Sequence, residues 1–201
     1  MPTLPLPPVL CLASASARRS ALLSQIGVPH IVVPADIDES LRAGETAEEY
    51  VMRMAREKAG RVWASPQRQQ LPVLGADTSV VLDGRVLGKP ADVAEGTAML
   101  TALSDRAHVV LSAVALSQGR GANLRLSIST VRFRAITREE IAAYWRCGEP
   151  QDKAGGYAIQ GLGGIFVETL SGSYSGVMGL PLFETAQLLA AAGLRPWQSA
   201  P

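Results

Sequence analysis

The sequence predicts an α/β fold built on a mixed sheet, and three patterns predict it. Short apolar runs of strand character alternate with segments whose apolar residues recur at helical spacing. Two of the helical segments open with capping boxes, Thr46-Ala47-Glu48-Glu49 and Thr137-Arg138-Glu139-Glu140. A tight-turn signal, Asp83-Gly84, separates Val80-Val81-Leu82 from Arg85-Val86-Leu87 and adds a hairpin to the alternation. Hairpins inserted among strand–helix units imply a sheet that is not purely parallel, with helices flanking it.

The elements follow in order. Residues 1–8 are proline-rich, lack a basic start and a long apolar run, and read as a frayed leader rather than a signal segment. Residues 9–13 form a buried strand, and 18–26 a helix with Leu22, Leu23 and Ile26 on one face and Gly27 as its stop. Residues 30–33 make a second strand. The polar stretch 35–40 then leads to the helix opened by Thr46, which runs to about Trp63. Residues 72–76 read as a buried strand ending at Asp77, followed by the hairpin and a helix over 91–103. Two long strands, 109–116 and 124–133, join through Gly119-Arg120-Gly121. Thr137 opens a helix to about Trp145, and 180–192 makes the last one. No internal repeat or low-complexity linker interrupts the series, so residues 1–201 are expected to form one domain.

Composition narrows the function without choosing it. The chain has 201 residues, 47% of them hydrophobic and 18% charged, enough for a substantial core. A formal net charge of +1 implies no general attraction to nucleic acid or anionic membrane, so any anion site must be a local cluster. Cys11 and Cys147 stand far apart in no C-x-x-C arrangement, which argues against a disulfide scaffold or a thiolate zinc site. No apolar run is long enough to span a bilayer. A cytoplasmic protein is the expectation.

The chemistry concentrates in a few places. Ser14-Ala15-Ser16-Ala17-Arg18-Arg19 lies between the first strand and first helix, where free backbone N–H groups and the helix dipole favour anions. Serine can donate to a phosphate oxygen and arginine offers a fork for two oxygens, but an N-cap serine with two solvated arginines fits the same residues. Lys58 falls on the apolar stripe of Val51, Met54, Ala55 and Val62, so it either snorkels outward or points into a cleft. Asp77 closes a strand, a usual place for a metal ligand or catalytic base; it equally suits a cap on the turn at Thr78-Ser79. Lys89 follows the hairpin in Gly88-Lys89-Pro90, which is no P-loop, and Gly161-Leu162-Gly163-Gly164 fails as a dinucleotide fingerprint. With only His30 and His108, a histidine metal site has little support; a metal here would take carboxylate and phosphate oxygens, as magnesium or manganese does. Residues 148–161 mix acids, a lysine, an amide and glycines, the composition of a ligand loop or of any tight irregular turn.

Together these motifs resemble the Maf proteins, nucleoside triphosphate pyrophosphatases of the Maf/Ham1 (ITPase-like) fold. The resemblance runs from Leu12-Ala13-Ser14-Ala15-Ser16-Ala17-Arg18-Arg19 through Gly75-Ala76-Asp77-Thr78, Gly88-Lys89-Pro90, Gly148-Glu149-Pro150 and Asp152-Lys153-Ala154-Gly155. It continues through Ile159-Gln160-Gly161 to Val177-Met178-Gly179-Leu180-Pro181. Ala17 departs from the family's usual proline, which removes a backbone constraint but no phosphate-binding group.

The resemblance implies two lobes about a central cleft and metal-dependent hydrolysis of a nucleoside triphosphate to the monophosphate and pyrophosphate. It implies a divalent magnesium or manganese ion, a nucleotide substrate and a homodimer. Asp77 and Glu39 would be metal ligands and acids, with Lys58 and Lys89 beside them as catalytic cations, and Ser14, Arg18, Arg19 and Gln160 would bind substrate. Gln160 in I-Q-G resembles the group acting on dTTP and UTP: an amide both donates to O4 and accepts from N3–H of uracil or thymine. The alternatives are a 7-methyl-GTP or modified-purine triphosphate pyrophosphatase, and a non-enzymatic nucleotide-responsive regulator of septum formation.

Overall fold

The computed structural model describes residues 7–119 and 121–194 of the chain, so most of the expected leader 1–8, and Arg120 of the Gly119–Gly121 loop, lie outside the described residues. Seven strands form one mixed sheet: β1 (Leu10–Leu12), β2 (His30–Val32), β3 (Val73–Leu82), β4 (Arg85–Leu87), β5 (Ala107–Ser117), β6 (Ala122–Phe133) and β7 (Val167–Ser171). The order is β2-β1-β3-β5-β6-β7, parallel from β2 to β3 and antiparallel beyond, with β4 hairpinned onto β3. Among the described residues six α-helices pack around it: α1 (Ala17–Gln25), α2 (Ala47–Trp63), α3 (Val93–Leu103), α4 (Arg138–Arg146), α5 (Tyr174–Met178) and α6 (Leu182–Ala191). Both capping boxes form as expected, on Thr46/Glu49 and Thr137/Glu140.

Strand β3 corrects the sequence reading. It does not end at Asp77 but runs ten residues, putting Asp77 in mid-strand and absorbing the first arm of the expected hairpin. The reason is its neighbour. β5 pairs with β3 from Val73 to Val81, so Thr78 and Ser79, polar residues that read as a turn, complete a ladder instead. On its other edge β3 is shared: β1 pairs at Val73 and Leu74, and β4 pairs from Val80 to Leu82. Between those two partners the edge around Asp77 carries no strand among the described residues, and the chain leaving β1 passes into the Ser14–Arg19 segment beside this gap.

Alternation along β3 sorts the core. Val73 and Val81 face α2 and join Cys11, Val51, Ala55, Ala59 and Val62 in one cluster. On the opposite face Leu74 and Ala76 pack with α1 and α6, whereas Val80 and Leu82 pack with α3, α4 and Phe133. That face therefore holds two cores. They meet at Thr78, whose hydroxyl lies 2.9 Å from the Ser112 hydroxyl, and Met178 of α5 touches both. Two elements had no clear sequence signal, the edge strand β7 and the one-turn helix α5. Among the described residues no helix is long and apolar enough to cross a membrane.

Candidate active site

Helix α2 lies unusually close to β3, and Gly75 is what permits it. A Cβ at Gly75 would sit 2.3 Å from the Ala55 carbonyl oxygen and 2.6 Å from the Ala59 nitrogen. Only hydrogen fits there. Asp77 projects from the same face of β3, two residues on, and Lys58 projects from α2 beside Ala59, so the contact that requires Gly75 also brings these two together. The Lys58 ammonium donates to Asp77 Oδ1 at 2.7 Å, and Glu39 Oε1 lies 2.8 Å from the same nitrogen. Lys58 therefore points inward and is 7% exposed, as is Asp77.

Glu39 comes from a segment without regular structure that α2 holds in place. Tyr50 donates its hydroxyl hydrogen to the Glu39 carbonyl at 2.8 Å, Arg53 donates to the Ser40 carbonyl at 3.0 Å, and Asp38 accepts the Ser40 amide in a local turn. The two carboxylates on Lys58 titrate in opposite directions. Burial pushes Asp77 above the usual range, against the pull of Lys58 and Arg19. Burial also acts to raise Glu39, but the Lys58 hydrogen bond with the charges of Lys58, Lys89 and Arg19 outweighs it, and Glu39 falls below its ordinary value. A buried carboxylate of raised basicity beside an ionised, half-exposed one is a pairing suited to proton transfer and charge binding respectively.

The Ser14–Arg19 segment builds the second part. Ser16, not Ser14, is the N-cap of α1, accepting from the Arg19 amide. Ser14 is thereby left as a buried hydroxyl that accepts from the Ser16 amide at 3.2 Å and from the Arg19 guanidinium at 3.1 Å. Arg19 also donates Nε–H to the Gly179 carbonyl at 2.8 Å. Burial draws its affinity for the proton down, opposed by Asp77, but a guanidinium stays charged across the physiological range. Arg18 reaches Asp152, 3.9 Å away, and Asp152 is also paired with Lys153. Gly179, at φ +126°, lies against both Arg19 and Thr78. Gly179, at the C-terminal end of α5, thus forms part of the wall of the Arg19 cradle.

The profile of the Maf-like protein family matches residues 9–192. The chain belongs to the Maf family. Among curated proteins it is 52% identical to a dTTP/UTP pyrophosphatase of Methylobacillus flagellatus, over 91% of this chain and 92% of that one. It is 51% identical to a dTTP/UTP pyrophosphatase of Saccharophagus degradans, over 94% and 91%. A third, from Alkalilimnicola ehrlichii, is 54% identical over 90% and 92%. A solved nucleoside-triphosphatase / dITP/XTP pyrophosphatase from Mycobacterium abscessus aligns at a TM-score of 0.42 and 19% identity, over 92% of this chain and 96% of that one, and nothing about the site follows from it.

Of the residues expected in a Maf site, Ser14, Arg19, Glu39, Lys58 and Asp77 are linked by direct contacts or by charge interactions. Arg18 joins the rim through Asp152. Lys89 is exposed, and its charge acts on Glu39. Gln160 is exposed and its side chain makes no hydrogen bond among the described residues, to the Lys58 cluster or elsewhere. Asp152 and the Gly179 carbonyl were missed. Asp152 stood in a noted motif with no sign of its partner, and a backbone carbonyl leaves no trace in a sequence.

The site suits a divalent cation by its donor chemistry. Asp77 and Glu39 already converge on one positive centre, and both are hard oxygen donors.

Proposed function

We propose that this protein hydrolyses dTTP and UTP to the monophosphate and pyrophosphate, by attack of water on the α-phosphorus. The observation that carries the reading is the buried Lys58–Asp77 pair with Glu39 on the same ammonium, facing the Ser14–Arg19 cradle. The names of the relatives support the same substrates.

Arg18 and Arg19 offset the negative charge of the triphosphate, and the gain grows as charge moves onto the departing pyrophosphate. Ser14 can turn its hydroxyl hydrogen to a phosphate oxygen, because in its present contacts that oxygen only accepts. Asp77 takes the proton of the attacking water at its carboxylate, a role its raised basicity serves. Lys58 fixes the carboxylate's orientation, and Lys89 adds positive charge near Glu39. Asp77 and Glu39 would hold a magnesium or manganese ion, which when bound polarises the phosphoryl oxygens. Gln160 reads the uracil or thymine edge through its amide.

The same reading makes the protein a cytoplasmic homodimer. Cys11 is buried and Cys147 exposed, both unpaired, as suits a reducing compartment. The dimer rests on the family resemblance, and sedimentation equilibrium tests it.

A pyrophosphate-release assay over a nucleotide panel with magnesium or manganese, with Asp77→Asn as control, tests the activity. Turnover of dTTP and UTP that Asp77→Asn abolishes is expected. Preference for 7-methyl-GTP would move the substrate to the purine alternative, and UTP binding without release would leave only a regulator.

A further inference from the structure

The Gly161-Leu162-Gly163-Gly164 stretch has no dinucleotide role, yet at each of its three glycines a Cβ would press on a neighbouring group. A Cβ at Gly161 would lie 2.0 Å from Glu149 Oε2, one at Gly163 would lie 2.5 Å from the Tyr144 hydroxyl, and one at Gly164 would lie 2.7 Å from the Ile159 carbonyl oxygen. These are marks of a backbone drawn tightly onto two side chains. The Tyr144 hydroxyl donates to Glu149 Oε1 at 2.6 Å and accepts from the Ala158 amide at 3.1 Å. Glu149 Oε1 also accepts from the Gly163 amide at 3.0 Å, and Oε2 accepts from the Leu162 amide at 3.0 Å. Gln160 lies between these anchors, in a turn closed by the Gly161 amide on the Ala158 carbonyl at 3.2 Å. Ala158 and Ile159 on one side are buried, whereas Gln160 itself projects to solvent. One carboxylate and one phenol therefore hold both shoulders of the turn.

We propose that Glu149, acting with Tyr144, is the positioning residue for base recognition: the clamp fixes the turn over residues 158–161 so that Gln160 meets the base at a set depth. This rests on the reading of Gln160 as the base-contacting amide. Charge makes the clamp strong, since a carboxylate accepting from two amides and a phenol outdoes a neutral acceptor at the same place. Glutamine at 149 could keep a carbonyl toward Tyr144 and Gly163 but would turn an NH2 toward the Leu162 amide, setting donor against donor. With the shoulder released, the turn can recede and base contacts weaken, while the triphosphate cradle at α1 is untouched.

The test compares UTP, which has a base, with inorganic tripolyphosphate, which has none. Pyrophosphate release gives kcat and KM for UTP, and tripolyphosphate is titrated as a competitive inhibitor. For Glu149→Gln the KM for UTP is expected to rise about tenfold, with kcat within about threefold and the tripolyphosphate inhibition constant unchanged. Tyr144→Phe should move KM in the same sense by less, since Glu149 keeps both of its amides, and it decides the matter by the same criterion if Glu149→Gln does not fold. An unchanged KM, or a KM and inhibition constant that rise together, would overturn the proposal. Gln160→Ala separates the two readings. If it leaves KM unchanged while Glu149→Gln raises it, the clamp stands and another residue of the turn reads the base; if it raises KM while Glu149→Gln does not, the clamp alone fails.

Discussion

The two sides of the site are held by different means. Lys58 and Asp77 sit on a long helix and a ten-residue strand, and their separation is set by helix-on-sheet packing with Gly75 at the contact. The segment from Glu149 to Phe166 holds only short 3₁₀ turns, Glu149–Asp152, Ala154–Gly156 and Leu162–Phe166, and its position is set by polar side-chain contacts: Glu149 and Tyr144 grip backbone amides on one flank, and the His108 ring lies 2.8 Å from the Tyr157 hydroxyl. Chemistry at phosphorus needs sub-ångström placement of an acid, which rigid elements supply. The proposed base-reading turn lies instead in irregular chain, tied down by a few polar contacts.

The largest effect should come from the rigid side. Lys58→Met removes the ammonium between Asp77 and Glu39 and leaves a buried carboxylate beside another acid, so kcat/KM for UTP should fall about 10²- to 10³-fold. A smaller loss in steady-state assays would mean that Lys58 orients nothing that matters to the transition state.

Acid should loosen the other side first. Burial pushes the His108 imidazole down to about 4, so the unfolded chain, with an ordinary histidine, binds the proton first as pH falls. The contribution is complete above about pH 6.5, is lost as pH drops toward about 4, and is on the order of 3 kcal/mol over that window. Urea unfolding midpoints measured through this range check it. His108→Phe should flatten the slope, and an equally steep slope in the variant would assign it to other groups.

Gly75→Ala attacks the packing contact itself. The added methyl meets backbone rather than a flexible side-chain end, so α2 must shift, at a cost of about 1–3 kcal/mol in unfolding free energy. Activity should fall with it in the same protein samples, because Lys58 moves with the helix. The smallest effect is expected at Gln160. Gln160→Glu should lower UTP and dTTP turnover about tenfold while leaving tripolyphosphate inhibition unchanged; equal losses in both would remove its base-reading role.

The same division explains what was legible in the sequence. Lys58 announced itself by breaking an apolar stripe, and Ser14–Arg19 by standing between a strand and a helix, because periodicity exposes whatever departs from it. Asp77 was found, but its place in mid-strand was not, since Thr78 and Ser79 look like turn residues until β5 pairs with them. Glu39 and Gln160 were reached only through family resemblance. Nothing local ties Glu39 to Lys58, a partner nineteen residues on in an element of its own. The contacts of Glu149 left no readable mark either: Tyr144 lies five residues back and the two amides thirteen and fourteen ahead, with no period joining them. Strand β7 escaped because an edge strand with Glu168, Thr169 and Ser171 lacks the apolar alternation of a buried one.

In the proposed reaction the Lys58–Asp77 cluster directs water to the α-phosphorus. Hydrolysis of UTP in ¹⁸O-enriched water, with the products separated and weighed by mass spectrometry, tests it most directly. One ¹⁸O in UMP, none in pyrophosphate, and no label above background with Asp77→Asn are expected. Label in pyrophosphate, or labelling of UMP by Asp77→Asn at the wild-type rate, would contradict it.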